Sequence, residues 1–212
     1  MGLKSAPPIF KARASSIGKL MTEPRAKKDR EAGELSATAK NYLTEWYKEQ
    51  LYGRRKPLVN KYLTKGNECE DNSIAMLDPT WENNKKQFEN EYMTGEPDVI
   101  TDDEIIDIKN SWDCFTFPLF NNKCPNSDYE WQVQAYMELC GKRKGRVIYT
   151  LMDTPDHLIP IGENLADYKY EHIDKSLRVK EFPVEYNEDK IKQIEEKVQK
   201  ARGFINNLST YL

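Results

Sequence analysis

Residues 95–112, "GEPDVITDDEIIDIKNSW", decide how this chain folds. Every charged residue in the stretch is acidic except Lys109, which follows Asp107 by two positions. Residues 88–100 and 104–110 read as two strands joined at Thr101-Asp102-Asp103, a hairpin-like turn. Successive side chains of a strand point to opposite faces, so Asp107 and Lys109 project together while Ile108 points into a core. If the two strands pair, Asp98 at the end of the first lies close to both.

The elements on either side follow from periodicity and punctuation. Residues 15–21 read as a short helix with Ser15 or Ser16 near its cap. Residues 36–53 form a longer helix: Ser36 or Thr38 caps it, Tyr42, Leu43, Trp46 and Leu51 make an apolar stripe, and Gly53 ends it. A further helix is expected over 58–77. It holds Gly66, which costs about 1 kcal/mol against alanine and implies close packing or a ligand near the backbone. Past the strand pair come a helix over 128–140 closed by Gly141, strands over 146–153 and 177–186, and an amphipathic helix over 187–208. That last helix carries the i, i+4 pairs Glu188–Lys192 and Glu196–Lys200. The segment 22–35 reads as a mobile basic loop. The order implies an α/β core with a helical N-terminal region.

Composition narrows the class. The chain has 212 residues, 38% hydrophobic and 32% charged, which suits one soluble domain with a sizeable core. No apolar run is long enough to span a membrane, and the N-terminus lacks the apolar stretch of a signal peptide. Cytoplasmic localisation is therefore expected. The four cysteines are scattered, as free thiols in a reducing compartment would be. Only His157 and His172 are present, which excludes chemistry built on several histidines. Trp46, Tyr47, Trp112 and Trp131 are expected in the core rather than on a base-stacking surface.

The net charge of −3 hides an asymmetry. Residues 1–30 hold eight Lys or Arg against two acids, with further basic clusters at 53–56 and 141–146, whereas residues 66–113 hold fourteen acids and three bases. Basic flanks around an acidic centre suit a metal-dependent phosphodiesterase, the bases holding a phosphate backbone and the acids a cation. Solvated helix faces would give similar clusters. Asp98 and Asp107 on one face can bind a hard divalent cation such as Mg²⁺, with the Lys109 ammonium beside the water that attacks phosphorus. A solvent-facing hairpin with an ordinary salt bridge is the alternative on these residues alone.

The neighbours add to this. Pro97-Asp98…Asp107-Ile108-Lys109 resembles the signature of the PD-(D/E)XK nuclease superfamily. Gln132 and Tyr136 resemble the QxxxY helix motif of its RecB-like branch, one turn apart and able to face one cleft. Gly66-Asn67-Glu68-Cys69-Glu70 resembles the G-x-x-x-E helix motif that supplies the first acid. Its register favours Glu70 over Glu68, and the two point about 200° apart on a helix, so only one can face the site. The segment from Arg13-Ala14-Ser15-Ser16 to Pro24-Arg25 and the stretch Trp131–Gln134 are similar to the lambda-exonuclease/YqaJ-type recombination nucleases of phages. The similarity runs from about residue 10 to 155. It departs from the family in having Asp107 where many members have Glu. At the position of an arginine before the serine it has Pro8, so that Arg13 or Lys11 would have to substitute.

The resemblance implies a restriction-endonuclease-like fold, a mixed central sheet flanked by helices. One nuclease domain would span 1–212, with a mainly helical DNA-binding part over 1–80, a catalytic core over 88–155 and a C-terminal strand and helix over 156–212. It implies a Mg²⁺-dependent exonuclease, Mn²⁺ substituting, that degrades linear duplex DNA 5′ to 3′ for recombination. Asp98, Asp107, the Ile108 carbonyl and Glu70 would hold the metal, Lys109 would position the nucleophile, and Gln132 and Tyr136 would hold the strand. Arg13, Ser15, Lys19 and Arg25 would bind DNA or a 5′-phosphate. Duplex ends, a single-strand annealing recombinase and a homo-oligomeric trimeric ring are the implied partners, in a bacterial host carrying a phage or prophage. A CRISPR-associated RecB-like nuclease is a rival; such proteins carry a four-cysteine cluster, whereas Cys140 is the last cysteine here. A non-catalytic DNA-end-binding module is another.

Overall fold

The computed structural model describes residues 8–57 and 60–210. Its centre is a mixed sheet of four strands, β4 (Val99–Ile100), β5 (Glu104–Asn110), β6 (Lys144–Thr150) and β7 (Val179–Glu185), in the order β4-β5-β6-β7. β5 and β6 are parallel, with Asp107 opposite Val147, and are joined by the crossover helix α5 (Ser127–Cys140). β4 and β7 run antiparallel to their neighbours.

Both faces of β5 are covered, and its alternation sorts its side chains between them. Ile106 and Ile108 pack with Ile74 of a second helix, α4 (Lys61–Leu77), and with Val99 and Ile148. Ile105, on the other face, joins Val133 and Met137 of α5 in the main core. Asp107 and Lys109 share that second face. A strand buried on both sides reads as an apolar run, so a carboxylate inside it is conspicuous.

Local capping explains the helix boundaries. Helix α3 (Ala37–Tyr52) starts where Ser36 Oγ accepts from Ala39 N at 3.0 Å and stops at Gly53, whose φ of 60° favours glycine. α5 starts at the Asn126 cap and stops at Gly141. α4 starts at the Asn60 cap; of the helix expected over 58–77, positions 58 and 59 lie outside the described residues. The C-terminal helix α6 (Glu188–Ser209) forms the expected Glu188–Lys192 pair at 3.4 Å. Lys200 instead donates to Gly33 O at 3.1 Å.

The structure corrects two expectations. Residues 88–100 are not one hairpin strand. They divide into β2 (Phe88–Glu89) and β3 (Met93–Gly95), which with β1 (Ala12–Arg13) form a separate sheet in the order β1-β3-β2, and the short β4. Asn90 makes the first break, its Oδ1 accepting from Tyr92 N at 2.9 Å and Met93 N at 2.8 Å. Pro97, which has no N–H to give a ladder, lies at the second. Nor is the segment 22–35 merely a basic loop. After the short helix α1 (Ile17–Met21) it contains a helical turn, α2 (Lys27–Glu31), and Arg30 Nη1 donates to Pro24 O at 2.9 Å. Glu23 pairs with Lys197 of α6 at 2.8 Å, a partner too distant in the sequence to foresee.

Trp46, Tyr47 and Trp112 are buried, and Trp131 packs against the core half-buried. The four cysteines are free. Among the described residues no helix is long and apolar enough to cross a membrane.

Lys65 of α4 is fully buried, its Nζ donating to Trp112 O and Met152 O, each at 2.8 Å. These carbonyls follow the ends of β5 and β6, so the ammonium ties α4 across both strands. Burial lowers its pKa to about 8. Ser73 makes a second tie by donating to Asn110 Oδ1 at 2.8 Å. Glu70 lies between these anchors on the same helix.

Candidate active site

The cleft of about 540 Å³ where α4, β5 and α5 meet is lined by Glu70, Asp98, Ile108, Lys109, Gln132 and Tyr136, together with Ser15, Gly66, Asn110 and Tyr129. Asp107 is fully buried and reaches the cleft through its ion pair with the lining residue Lys109. The structure thus brings together the acids, the lysine and the QxxxY pair expected from the sequence. Glu70 rather than Glu68 reaches the cleft; Glu68 turns toward His157, 3.3 Å away. Gly66 opens onto the cleft, and a Cβ there would meet nothing within 4 Å, so packing is not what requires this glycine.

The side-chain geometry leaves lone pairs over. Asp98 Oδ2 accepts from Ile108 N at 2.6 Å. Lys109 Nζ donates to Asp107 Oδ1 at 2.9 Å and stands 2.8 Å from Oδ2. The second approach is a charge contact without hydrogen-bond alignment, so Asp107 Oδ2 is buried with no hydrogen-bond partner among the described residues. The ammonium offsets its charge but leaves that oxygen's lone pairs without a hydrogen bond. Among the described residues no three Asp, Glu, His or Cys side chains gather into a cage. What the cleft presents is a pair of neighbouring carboxylates with unspent oxygen lone pairs, and oxygen donors are the chemistry that a hard divalent cation takes.

The electrostatics agree with that imbalance. Burial, then the charge of Asp107, pushes the Asp98 carboxyl up to about 7. Burial also raises Asp107, more than Lys109 lowers it. Burial works against the charge on Lys109, but Asp107 and Asp98 outweigh it and hold the ammonium above its ordinary pKa. Lys109 is therefore a fixed cation at neutral pH, also 4.5 Å from the centre of the Tyr129 ring.

α5 places the last pair. Gln132 Nε2 donates to Tyr136 Oη at 2.9 Å, and Gln132 Oε1 lies 3.4 Å from Lys109 Nζ. Burial and the charge of Asp107 push the Tyr136 phenol well above its usual range, so it keeps its proton. Its ring lies against Gly95; a Cβ there would come within 2.7 Å of Tyr136 Cε1.

A smaller cavity of about 330 Å³ adjoins the cleft, with Ser15 and Tyr136 bordering both. Arg13, Arg55, Gln87 and Thr94 line it. Arg13 is partly engaged, its Nη2 3.6 Å from Glu49 Oε2. Lys11 pairs with Glu89 at 3.1 Å. Lys19 extends toward the Tyr42 ring, 6.0 Å from its centre, and neither Lys19 nor Arg25 lines either cavity. Sequence reasoning missed Arg55 as a site residue; the basic cluster at 53–56 was the signal available. The cluster at 141–146 is largely spent inside the protein. Arg146 pairs with Glu104 and Glu181, Lys142 donates to Asp102 O, and Arg143 stacks on Tyr186.

No protein-family model matches the chain, and no curated protein does. Solved structures do. The chain is similar to a phage-related exonuclease from Haemophilus somnus 129PT, at 31% identity over 96% of this chain and 97% of that one, with a TM-score of 0.87. It shares its fold with an alkaline exonuclease from Laribacter hongkongensis, LHK-Exo, at 17% identity over 96% and 91% of the two chains and a TM-score of 0.66. The same holds for LHK-Exo in complex with dAMP, at 18% identity and a TM-score of 0.67. Asp98 just before β4 with Asp107 and Lys109 on β5, a QxxxY pair on α5, and this likeness over nearly the whole of both chains lead to one assignment: the chain belongs to the phage-related exonucleases, the lambda-exonuclease/YqaJ type of the PD-(D/E)XK superfamily.

Proposed function

We propose that this exonuclease degrades linear double-stranded DNA from its 5′ ends in a Mg²⁺-dependent reaction, leaving single strands for recombination. The observation that carries the metal dependence is Asp107 Oδ2, buried beside Asp98 and, among the described residues, with the Lys109 charge contact but no hydrogen bond. Asp98, Asp107 and the Ile108 carbonyl would hold Mg²⁺, with Glu70 bound directly or through water; Mn²⁺ would substitute. When bound, the cation would polarise a phosphate oxygen and acidify a water.

The side chains have separable tasks in this reading. Lys109, charged and held by Asp107, orients the attacking water and offsets charge building on phosphorus. Gln132 and Tyr136 hold the strand beside the scissile phosphate, Tyr136 as a hydroxyl donor. Arg13 and Ser15, with Arg55 added by the fold, receive a terminal 5′-phosphate in the adjoining cavity; a guanidinium suits a phosphate through paired N–H donors. Lys19 and Arg25 lie outside that cavity and meet the duplex further along. A single-strand annealing recombinase, a trimeric ring and the cytoplasm of a phage-carrying bacterium complete the proposal.

The test is release of acid-soluble nucleotides with and without Mg²⁺. Linear duplex bearing 5′-phosphates should be degraded much faster than 5′-hydroxyl duplex, and Arg13→Ala with Ser15→Ala should bring the ratio toward one. Covalently closed circles should stay intact; rapid nicking of them would replace the exonuclease reading with an endonuclease.

The raised Asp98 pKa gives a second test. Between about pH 4 and pH 7 the folded protein keeps a proton on Asp98 that the unfolded chain has already released, so without metal this group's contribution to stability falls as pH rises through that window. Mg²⁺ needs the deprotonated form and competes with that proton. Mg²⁺ should therefore raise Tm more at pH 8 than at pH 5.5, and Asp98→Asn should shrink the difference, leaving the part due to Asp107. Equal shifts at both pH values would remove Asp98 from the metal set.

A further inference from the structure

Asn110 directly follows Lys109 at the carboxyl end of β5 and turns to the opposite face, toward α4. Its Oδ1 lies 2.8 Å from Ser73 Oγ and 2.8 Å from Thr150 Oγ1, accepting from both hydroxyls. Ser73 and Thr150 are completely buried. Ser73 Oγ also stands 2.8 Å from Cys69 O, so its one proton serves two acceptors. The two hydroxyls hold the amide oxygen at the back of the cleft. Nδ2, the other end of the amide, has no protein acceptor among the described residues, and Asn110, half-buried, lines the cleft.

A donor of this kind answers a need of the site. Glu70, Asp98 and Asp107 make the cleft acidic, and the Lys109 ammonium is already engaged by Asp107. A phosphate entering it needs donors that no carboxylate has claimed. A neutral amide supplies one without drawing in a carboxylate, and the preset oxygen contacts spare it the loss of rotamer freedom on binding. Ser73 lies three residues beyond Glu70 on α4, one helical turn, so the network beneath Asn110 shares a face with the residue that faces the metal carboxylates.

We propose that Asn110 is a phosphate-binding residue of the reaction, its Nδ2 donating to a nonbridging oxygen of the phosphate undergoing hydrolysis, with Ser73 and Thr150 as positioning residues that fix the amide's orientation. The assignment rests on the proposed function, which places the scissile phosphate over Asp98 and Asp107.

The experiment compares kcat and KM of the full chain on 5′-phosphorylated linear duplex for Asn110→Leu, which keeps volume and loses the donor, and Asn110→Asp, which keeps shape and puts an anion there. Asn110→Leu should lower kcat/KM roughly 10–100-fold, as loss of a hydrogen bond to a charged group does. Asn110→Asp should lower it further while still accepting from both hydroxyls, and so it remains informative if Asn110→Leu fails to fold. Ser73→Ala with Thr150→Val should produce part of the same loss. A purely structural Asn110 is separated by sulfur substitution: one diastereomer of a phosphorothioate at the first linkage should slow the parent, and that slowing should vanish in Asn110→Leu or Asn110→Asp. If folded variants hydrolyse like the parent, or keep the parent's thio effects, Asn110 does not touch the phosphate. Asp107→Ala is run alongside. Its inactivity together with parental Asn110 variants overturns this inference alone, whereas an active Asp107→Ala overturns the site reading beneath it.

Discussion

Asp107→Ala should bind linear duplex as the parent does and release essentially no nucleotide in Mg²⁺. The side chain is fully buried, and one of its oxygens has no hydrogen-bond partner. Removing it takes away half of the carboxylate pair and leaves Lys109, among the described residues, with only Gln132 Oε1, 3.4 Å away, as a hydrogen-bonding acceptor. Loss of several kcal/mol of charge stabilisation at phosphorus amounts to about 10³-fold or more in rate. Binding should persist because most affinity for duplex comes from phosphate contacts by surface Lys and Arg, and it should weaken steeply with salt. Nucleotide release at the parental rate by Asp107→Ala would sink the site assignment. Asp107→Asn, which keeps an acceptor for Lys109 at the same place, separates loss of charge from loss of packing.

Lys109→Ala should lower kcat by roughly 10²–10⁴-fold, the range for loss of a positioned group that acts on the nucleophile. Its effect on metal affinity should be small or even favourable, since an ammonium repels a cation. Lys109 is held above its ordinary pKa by Asp107 and Asp98, so it is not a base awaiting a proton at neutral pH. The pH profile of kcat should accordingly show no step from Lys109 between pH 6 and pH 9. If raising Mg²⁺ restored Lys109→Ala to the parental rate, the lysine would be supporting the carboxylates' geometry instead of the chemistry. Tyr129, 4.5 Å from Nζ, offers a milder version of the same test.

Much of this site is legible in the amino-acid sequence, and the legible part is local. Alternation along β5 puts Asp107 and Lys109 on one face, and the α-helical period puts Gln132 and Tyr136 one turn apart. Ser36, Gly53 and Gly141 mark helix ends by capping chemistry that acts within a few residues. The order of the motifs along the chain carries the family. Local reasoning fails at 88–100, where β-rich composition suggests one strand. Asn90 and Pro97 interrupt it, and which sheet each fragment joins depends on segments far away, Ala12–Arg13 for one and Glu104–Asn110 for another.

By itself the sequence determined the types and spacing of the reacting groups, because side-chain direction repeats every two residues in a strand and nearly every four in a helix. Tertiary structure alone decided which groups meet. It turned Glu70 into the cleft and Glu68 toward His157, since the rotation of α4 is set by Lys65 and Ser73 binding to the ends of β5 and β6. It brought Arg55 beside Arg13 and Ser15, and spent Arg146 on Glu104 and Glu181. It also left Asp107 Oδ2 without a hydrogen bond. Each of these depends on burial and on partners tens of residues away, and desolvation, which raises the Asp98 and Asp107 pKa values, exists only once the chain has closed around them.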